Sequence, residues 1–284
     1  MTWSAAALLG IVQGLTEFLP VSSSAHLILF RALFGWGGNA DVLELFDVAV
    51  HVGTLLAIAA FFRRDLLALV GAAPRVLKQA AAVPRALEPP PPIDGMPDAT
   101  GRRLQLIAVG TVPIVIAGLL HATELEDTLR TPVIAASMLA LGAFVLFAGE
   151  HLGQRTKREA DLGVGSAFVV GVAQAAALVP GVSRSGATIG VGMLLGFERA
   201  AITRFSFLLS VPAILAAAVH EGWKMRHIPL ASADLQMLAI GVATSAVVGY
   251  LAVAYFIRFV STRRLDVFAW YRLALAAVLL VWLR

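Results

Sequence analysis

Long apolar runs dominate this chain, and short polar segments separate them. Each run spans about 17 to 24 residues, which is enough for a helix to cross the hydrocarbon core of a bilayer. None shows the apolar-polar alternation of a barrel strand. The pattern therefore predicts an all-α, polytopic membrane protein with about six transmembrane helices, near residues 44–62, 103–121, 131–149, 201–220, 235–258 and 267–284.

Two further apolar regions, residues 3–37 and 163–197, are each interrupted in the middle by proline, glycine and serine. The fragments on either side have about 12 to 17 residues, which is short for a complete crossing. We therefore expect each region to enter the membrane and return as a re-entrant helical hairpin. Irregular backbone at that depth is tolerated only where protein or a water-filled cavity surrounds it.

The two interrupted regions resemble each other. The letters GIVQ from Gly10 match GVAQ from Gly171, and in both copies a proline and a Ser-x-Ser pair follow. Further along, FDVAVHVGTLLA from Phe46 aligns with FSFLLSVPAILA from Phe205. Internal repetition of this kind predicts two structural repeats. Inverted repeats with broken helices are typical of transporters.

These features predict a single integral membrane domain over residues 1–284. Repeat 1 covers about residues 3–62 plus the following helices, with a cytoplasmic linker at 63–102, and repeat 2 covers about residues 163–258. The proline-rich stretch 88–97 within the linker is expected to be non-helical and solvated.

Composition and charge agree with a membrane protein. Only 14% of residues are charged and 59% are hydrophobic, whereas about 25% are charged in soluble domains. The net charge of +4 is explained by basic loops on the cytoplasmic side, so we expect no nucleic-acid partner. The basic connection after residue 62 is therefore cytoplasmic, and the first hairpin enters from outside. Because the chain has no cysteine, disulfides and thiolate chemistry are excluded.

The first interruption carries the polar segment QGLTEFLPVSSSAH. Gln13 and Glu17 are four residues apart, so they share a helix face and could supply oxygen ligands to a divalent metal. A serine cluster, Ser22 to Ser24, can cap the next helix and still leave backbone N–H groups for a phosphate. His26 lies within one turn of these serines, where it could act as base, acid or nucleophile.

The second interruption carries PGVSRSGAT. Arg184 lies between Ser183 and Ser185, and Thr188 adds another hydroxyl. A planar guanidinium suits phosphate oxygens, so Arg184 is the expected phosphate anchor. Asp47 and His51 form a weaker pair, four residues apart, which either supports the same site from behind or is a polar stripe between helices.

The two polar segments resemble the signature motifs of the undecaprenyl-diphosphate phosphatase family, the bacitracin-resistance type of bacterial membrane enzyme, and the similarity extends over essentially the whole chain. Many members have two acids where this chain has Gln13 and Glu17. The family's essential serine and histidine fall on Ser23 and His26. Its phosphate loop falls on Pro180, Gly181, Ser183, Arg184, Ser185 and Thr188.

The resemblance implies a phosphatase of the bacterial inner membrane that hydrolyses undecaprenyl diphosphate to the monophosphate carrier of peptidoglycan synthesis. It also implies a divalent metal, Mg²⁺ or Ca²⁺. We expect Ser23 to attack with help from His26, while Arg184, Ser22 and a metal near Glu17 stabilise the phosphate. Attack by His26, or by water, is an open alternative. Two other functions are open alternatives: a flippase that moves the lipid without hydrolysis, and a resistance protein that only sequesters the lipid diphosphate. The chain could also form a homodimer. The site is expected to face the periplasm or cell exterior.

Overall fold

The protein is a bundle of α-helices. The computed structural model describes residues 1–37, 39–81, 99–129 and 131–282. Within these residues the ordered elements are α1 (Trp3–Phe18), α2 (Ser23–Phe34), α3 (Ala40–Phe61), α4 (Arg63–Ala81), α5 (Ala99–Leu129), α6 (Pro132–Leu152), α7 (Val164–Ala176), α8 (Arg184–Leu194), α9 (Arg199–Lys224), α10 (Ser232–Thr262) and α11 (Asp266–Trp282), with a short 3₁₀ turn at Glu159–Asp161.

The all-α membrane fold expected from the sequence is confirmed. Five of the described helices, α3, α5, α6, α9 and α10, are long and apolar enough to span a membrane. The sixth expected span corresponds to α11, which has 17 described residues. The protein is therefore a multi-pass membrane protein.

Both interrupted regions form a helix, a break and a second helix, namely α1 with α2 and α7 with α8. The residue just before each second helix is a serine with positive φ, 71° at Ser22 and 66° at Ser183. Such a φ is uncommon outside glycine. Gly181, with φ 95°, also sits where an added Cβ would collide with the carbonyl oxygen of Ala135. The two breaks therefore share an unusual backbone conformation, as expected of related repeats.

The two halves of the chain interlock. Helix α1 packs against α10, and α7 packs against α5, so each hairpin contacts a long helix of the other half. Glycines allow the close approach: a Cβ on Gly14 would lie 2.8 Å from the backbone of Ser245 and Gly249 in α10. This exchange brings the two breaks to the centre of the bundle.

The expected linker, residues 63–102, contains a helix. Its first part is the amphipathic helix α4, in which Leu69 and Ala72 are buried while Leu67 and Val70 are exposed. Burial of one apolar face explains why these residues are helical. The proline-rich stretch 88–97 lies outside the described residues. Helix α5 continues to Leu129, beyond the expected span at 103–121.

Candidate active site

The two helix breaks contact each other through serine side chains. The backbone N–H of Gly181 donates to the hydroxyl of Ser24 (3.4 Å). In the opposite direction, the hydroxyl of Ser185 donates to the carbonyl oxygen of Leu19 (3.0 Å). Ser24 and Ser185 hold equivalent positions in the two Ser-x-Ser pairs, so the contact is nearly reciprocal. It brings the two polar motifs, 161 residues apart at these serines, into one site.

Glu17 is the centre of that site. It lies in the last turn of α1, is buried, and its Oε2 accepts from Ser23 Oγ (2.6 Å) and from Gln13 Nε2 (2.9 Å). Nε2 of His51 lies 3.5 Å from the same oxygen. A guanidinium nitrogen of Arg184 lies 3.8 Å from Oε1. A buried carboxylate needs such partners, and here they come from both repeats.

His26 is held by two groups outside that cluster. Its Nδ1 lies 2.7 Å from the carbonyl oxygen of Ser22, and its Nε2 lies 2.7 Å from the hydroxyl of Tyr271 on α11. A carbonyl can only accept, so a neutral His26 carries its proton on Nδ1. Nε2 then has the free lone pair and accepts from Tyr271.

The pair Asp47 and His51 is divided between two environments. The carboxylate of Asp47 forms a bidentate ion pair with Arg31, at 2.6 and 2.9 Å. Its backbone carbonyl accepts from Nδ1 of His51 (2.7 Å), which leaves the other imidazole nitrogen facing Glu17. His51 therefore adjoins the site, whereas the Asp47 side chain faces Arg31.

The remaining hydroxyls of the two motifs bind mainly their own backbone. Ser183 caps α8 by accepting from the N–H of Gly186 (3.2 Å), and Thr188 donates to the carbonyl oxygen of Arg184 (2.8 Å). The hydroxyls of Ser22 and Ser24 lie 3.2 Å apart. These contacts hold the loops in shape, and a serine that accepts from an N–H can still donate to a ligand.

Arg272 on α11 holds both breaks together, and sequence reasoning missed it. The fully buried guanidinium donates to the carbonyl oxygen of Pro20 in the first break and to those of Gly181 and Val182 in the second, at 2.9 to 3.3 Å. It also donates to two carbonyls of α6, those of Met138 and Leu139. The sequence does contain a signal for Arg272, because an arginine within an apolar span is a functional candidate by default.

Two spaces lie between the helices that carry the site residues. A small pocket of about 10 Å³ lies on the α9 side, and its walls are Glu17, Phe18, Arg184, Ser185, Thr188, Ser206, Phe207 and Ser210. The second space is an apolar groove of about 490 Å³ between α2 and α11, and it is lined by Leu29, Leu33, Ala277, Val278 and Val281. Leu29 and Leu33 follow His26 at helical spacing, and Val278 follows Tyr271 by seven residues. The groove therefore continues the helix faces that carry the His26–Tyr271 pair.

The residues available for a metal are few but suitable. Oε1 of Gln13 is buried and has no hydrogen-bond partner, and it belongs to the side chain that contacts Glu17. Mg²⁺ sites often use one or two protein oxygens and complete the shell with phosphate and water. In the described part of the chain, no group of three His, Asp or Glu side chains could hold a metal. The set fits a cation that the substrate helps to bind.

Comparisons with known proteins agree with the motifs. The family model for "Bacitracin resistance protein BacA" matches residues 6–278. A protein of Alcanivorax borkumensis named undecaprenyl-diphosphatase is 43% identical over 284 residues, covering 100% of both chains. A protein of Rubrobacter xylanophilus with the same name is 42% identical over 273 residues, 96% of this chain and 95% of the relative. The resemblance inferred from the two motifs is confirmed.

Proposed function

Because this chain belongs to the bacitracin resistance protein BacA family, we propose that it hydrolyses undecaprenyl diphosphate to undecaprenyl phosphate and inorganic phosphate. The reaction would return the lipid carrier to peptidoglycan synthesis and so give resistance to bacitracin. The observation that carries the proposal is the buried cluster of a hydroxyl, a carboxylate and a guanidinium where the two helix breaks meet. A protein that only bound or moved the lipid phosphate would need the guanidinium of the cluster, but it would not need a serine hydroxyl paired with a base.

Ser23 is the nucleophile in this mechanism. Its hydroxyl already donates to Glu17 Oε2 over 2.6 Å, so Glu17 can accept the proton as Ser23 Oγ bonds to the terminal phosphorus. The bond from that phosphorus to the bridging oxygen then breaks, and undecaprenyl phosphate leaves. Assistance by Glu17 replaces the assistance by His26 expected from the sequence, because Glu17 is the base in contact with Ser23.

His26 serves the second half of the reaction. Water must attack the phosphoserine so that inorganic phosphate is released and Ser23 is restored. The lone pair of His26 on Nε2 can take a proton from that water once the Tyr271 hydroxyl moves away. The hydrogen bond from Nδ1 to the Ser22 carbonyl keeps the ring in the required tautomer.

Arg184 neutralises the negative charge that grows on the phosphoryl oxygens. It is partly exposed and lies beside Glu17, with one guanidinium nitrogen that has no hydrogen-bond partner. A donor aimed at developing charge in a water-poor site stabilises the transition state more than the ground state. Ser22, Ser183, Ser185 and Thr188 shape the loops around it, and their hydroxyls add neutral donors.

A divalent cation, Mg²⁺ or Ca²⁺, would be held by Glu17 and by Oε1 of Gln13. When bound, it would supply positive charge to the diphosphate and so weaken the repulsion that an attacking oxygen meets. His51, beside Glu17, helps to hold the carboxylate in place.

The site is proposed to face the periplasm or cell exterior. The connection that we assign to the cytoplasm is flanked by arginines at the start of α4 and α5, namely Arg63, Arg64, Arg102 and Arg103. Since α3 precedes α4, the segment at Gly35 to Gly37 then lies outside, together with the open end of the first hairpin. Spent carrier on the outer leaflet would reach such a site without being flipped.

Phosphate release by the purified protein tests the proposal. In detergent with undecaprenyl diphosphate and Mg²⁺ or Ca²⁺, the wild-type chain should release inorganic phosphate, and the Ser23→Ala variant should not. Ser137→Ala, an exposed serine on α6 that donates to its own backbone, is the matched control and should be fully active. Lipid binding without release would instead support a flippase or a sequestering protein.

A further inference from the structure

One residue of the pocket on α9, Ser206, belongs to neither of the two polar motifs. Ser206 lines the small pocket beside Glu17 and Arg184, is almost fully buried, and its Oγ has no hydrogen-bond partner. Arg184 lines the same pocket, and its Nη1 nitrogen is also buried without a hydrogen-bond partner. Buried polar groups are nearly always satisfied, so two unpaired donors at one pocket indicate a missing acceptor.

The size of the pocket limits what that acceptor can be. Its volume of about 10 Å³ is at the lower limit for one water molecule. A single phosphoryl oxygen is of that size, whereas a whole phosphate group is not. The pocket can therefore take one oxygen atom of a phosphoryl group whose phosphorus remains near Ser23.

The surroundings decide which phosphate of the substrate supplies this oxygen. The phosphate attached to the prenyl chain needs a route to lipid, and the α2–α11 groove beside His26 and Tyr271 offers one. The pocket beside Ser206 is formed by α1, α8 and α9 and shares no lining residue with that groove, and its buried walls include Phe18 and Phe207. The terminal phosphate carries no chain and is the one that Ser23 attacks, so we assign the oxygen in this pocket to it.

We propose that Ser206 and Arg184 form a pocket for one non-bridging oxygen of the terminal phosphoryl group. This assignment rests on the proposed phosphatase function and adds Ser206 to its catalytic residues. As Ser23 attacks, negative charge accumulates on that oxygen, and two fixed donors stabilise it.

The repeat explains why a serine stands at this position. Ser206 aligns with Asp47, since both follow the phenylalanine that begins the matching segments. In the first half, Arg31 neutralises the Asp47 carboxylate. A carboxylate at position 206 would instead face the phosphoryl oxygen and compete for Arg184. The neutral hydroxyl avoids that repulsion and donates a hydrogen bond, so the two halves have different side chains for different tasks.

Thr203 offers a matched control for the test. It lies one helical turn before Ser206 on α9, is fully buried, and its hydroxyl also has no hydrogen-bond partner, but it does not line the pocket. Ser206→Ala and Thr203→Val each remove one buried unpaired hydroxyl. We expect Ser206→Ala to lower kcat on the order of 100-fold with little change in KM. Thr203→Val should keep the wild-type rate.

Inhibition by orthovanadate separates catalysis from folding, because vanadate takes the five-coordinate shape of the transition state. For Ser206→Ala, the inhibition constant for vanadate should rise along with the loss of kcat. Ser206→Cys keeps the side-chain volume but has a weak donor, so it should show the same defect if the alanine variant does not fold. A fully active Ser206→Cys enzyme would overturn the assignment.

The remaining outcomes are distinct. If the wild-type protein releases no phosphate, the proposed function itself fails. If the wild-type protein is active and Ser206→Ala matches Thr203→Val, the oxygen pocket is wrong. A slow Ser206→Ala enzyme with wild-type vanadate inhibition would show that Ser206 supports only the structure, and this also overturns the proposal.

Discussion

The hydroxyl of Tyr271 lies 2.7 Å from Nε2 of His26, and the two rings are nearly parallel. The nitrogen proposed to activate water is therefore occupied in this structure, and Tyr271 must release it before the second half of the reaction. The two halves of the mechanism consequently depend on different bases, Glu17 for attack by Ser23 and His26 for attack by water.

This division predicts a trapped intermediate. In His26→Gln, phosphoserine should form at Ser23 but hydrolyse slowly, because no imidazole takes the proton of the attacking water. Substrate labelled with radioactive phosphorus in its terminal phosphate should leave label on the protein after denaturation. The double variant Ser23→Ala/His26→Gln is the control and should carry none. Label that persists in the double variant would point to another nucleophile.

The second prediction concerns the metal. Glu17→Ala should have low activity that rising Mg²⁺ or Ca²⁺ partly restores, because the substrate itself supplies further ligands. Gln13→Ala should be milder, since a neutral amide is the weaker ligand. Initial rates over a titration of the cation measure both effects. If the loss of activity in Glu17→Ala is the same at every cation concentration, Glu17 does not bind the metal and acts only as the base.

Arg184→Lys tests whether geometry or charge matters at the phosphate anchor. Lysine keeps the positive charge but cannot present two planar donors at once, so activity should fall on the order of 100-fold. The exposed Arg258→Lys on α10 is the control and should leave the rate unchanged. A correctly folded Arg184→Lys enzyme with near-normal turnover would contradict the assignment.

Single cysteines can report the orientation. Ala25 is unsuitable for this purpose because it is fully buried against α6 and α11. At Gly37 and Gly71, by contrast, an added Cβ meets nothing within 4 Å. In intact spheroplasts, Gly37→Cys should react with an impermeant thiol reagent, and Gly71→Cys should react only after lysis. The reverse pattern would place the site on the cytoplasmic side.

Arg272→Met should destabilise the protein strongly. The substitution removes the donor for five carbonyl oxygens at once, and each buried acceptor left unpaired costs about 1–3 kcal/mol. Thermal unfolding in detergent should show a clear decrease in the midpoint, while Arg258→Met should not. An unchanged midpoint for Arg272→Met would mean that water satisfies these carbonyls.

The sequence was sufficient to predict the long helices and the two breaks, because the length of an apolar run and an interruption by proline, glycine and serine are local signals. It was also sufficient to predict that Glu17, Ser23 and Arg184 share one site, since the internal repeat relates the two motifs. Tyr271 and Ser206 could not be found in this way. Their roles depend on which face of α11 or α9 meets the breaks, and packing between distant segments decides that. Helix α4 was not predicted, because its basic residues made the segment look like a loop although one apolar face is buried.

The position of Arg272 near the end of the described chain affects the order in which the protein matures. Both motifs emerge from the ribosome long before α11, yet the guanidinium that joins the two breaks is carried by α11. A nascent chain that contains Glu17, Ser23, His26 and Arg184 therefore still lacks the cation that holds their loops together. We therefore expect phosphatase activity to appear only when α11 has inserted beside the two breaks.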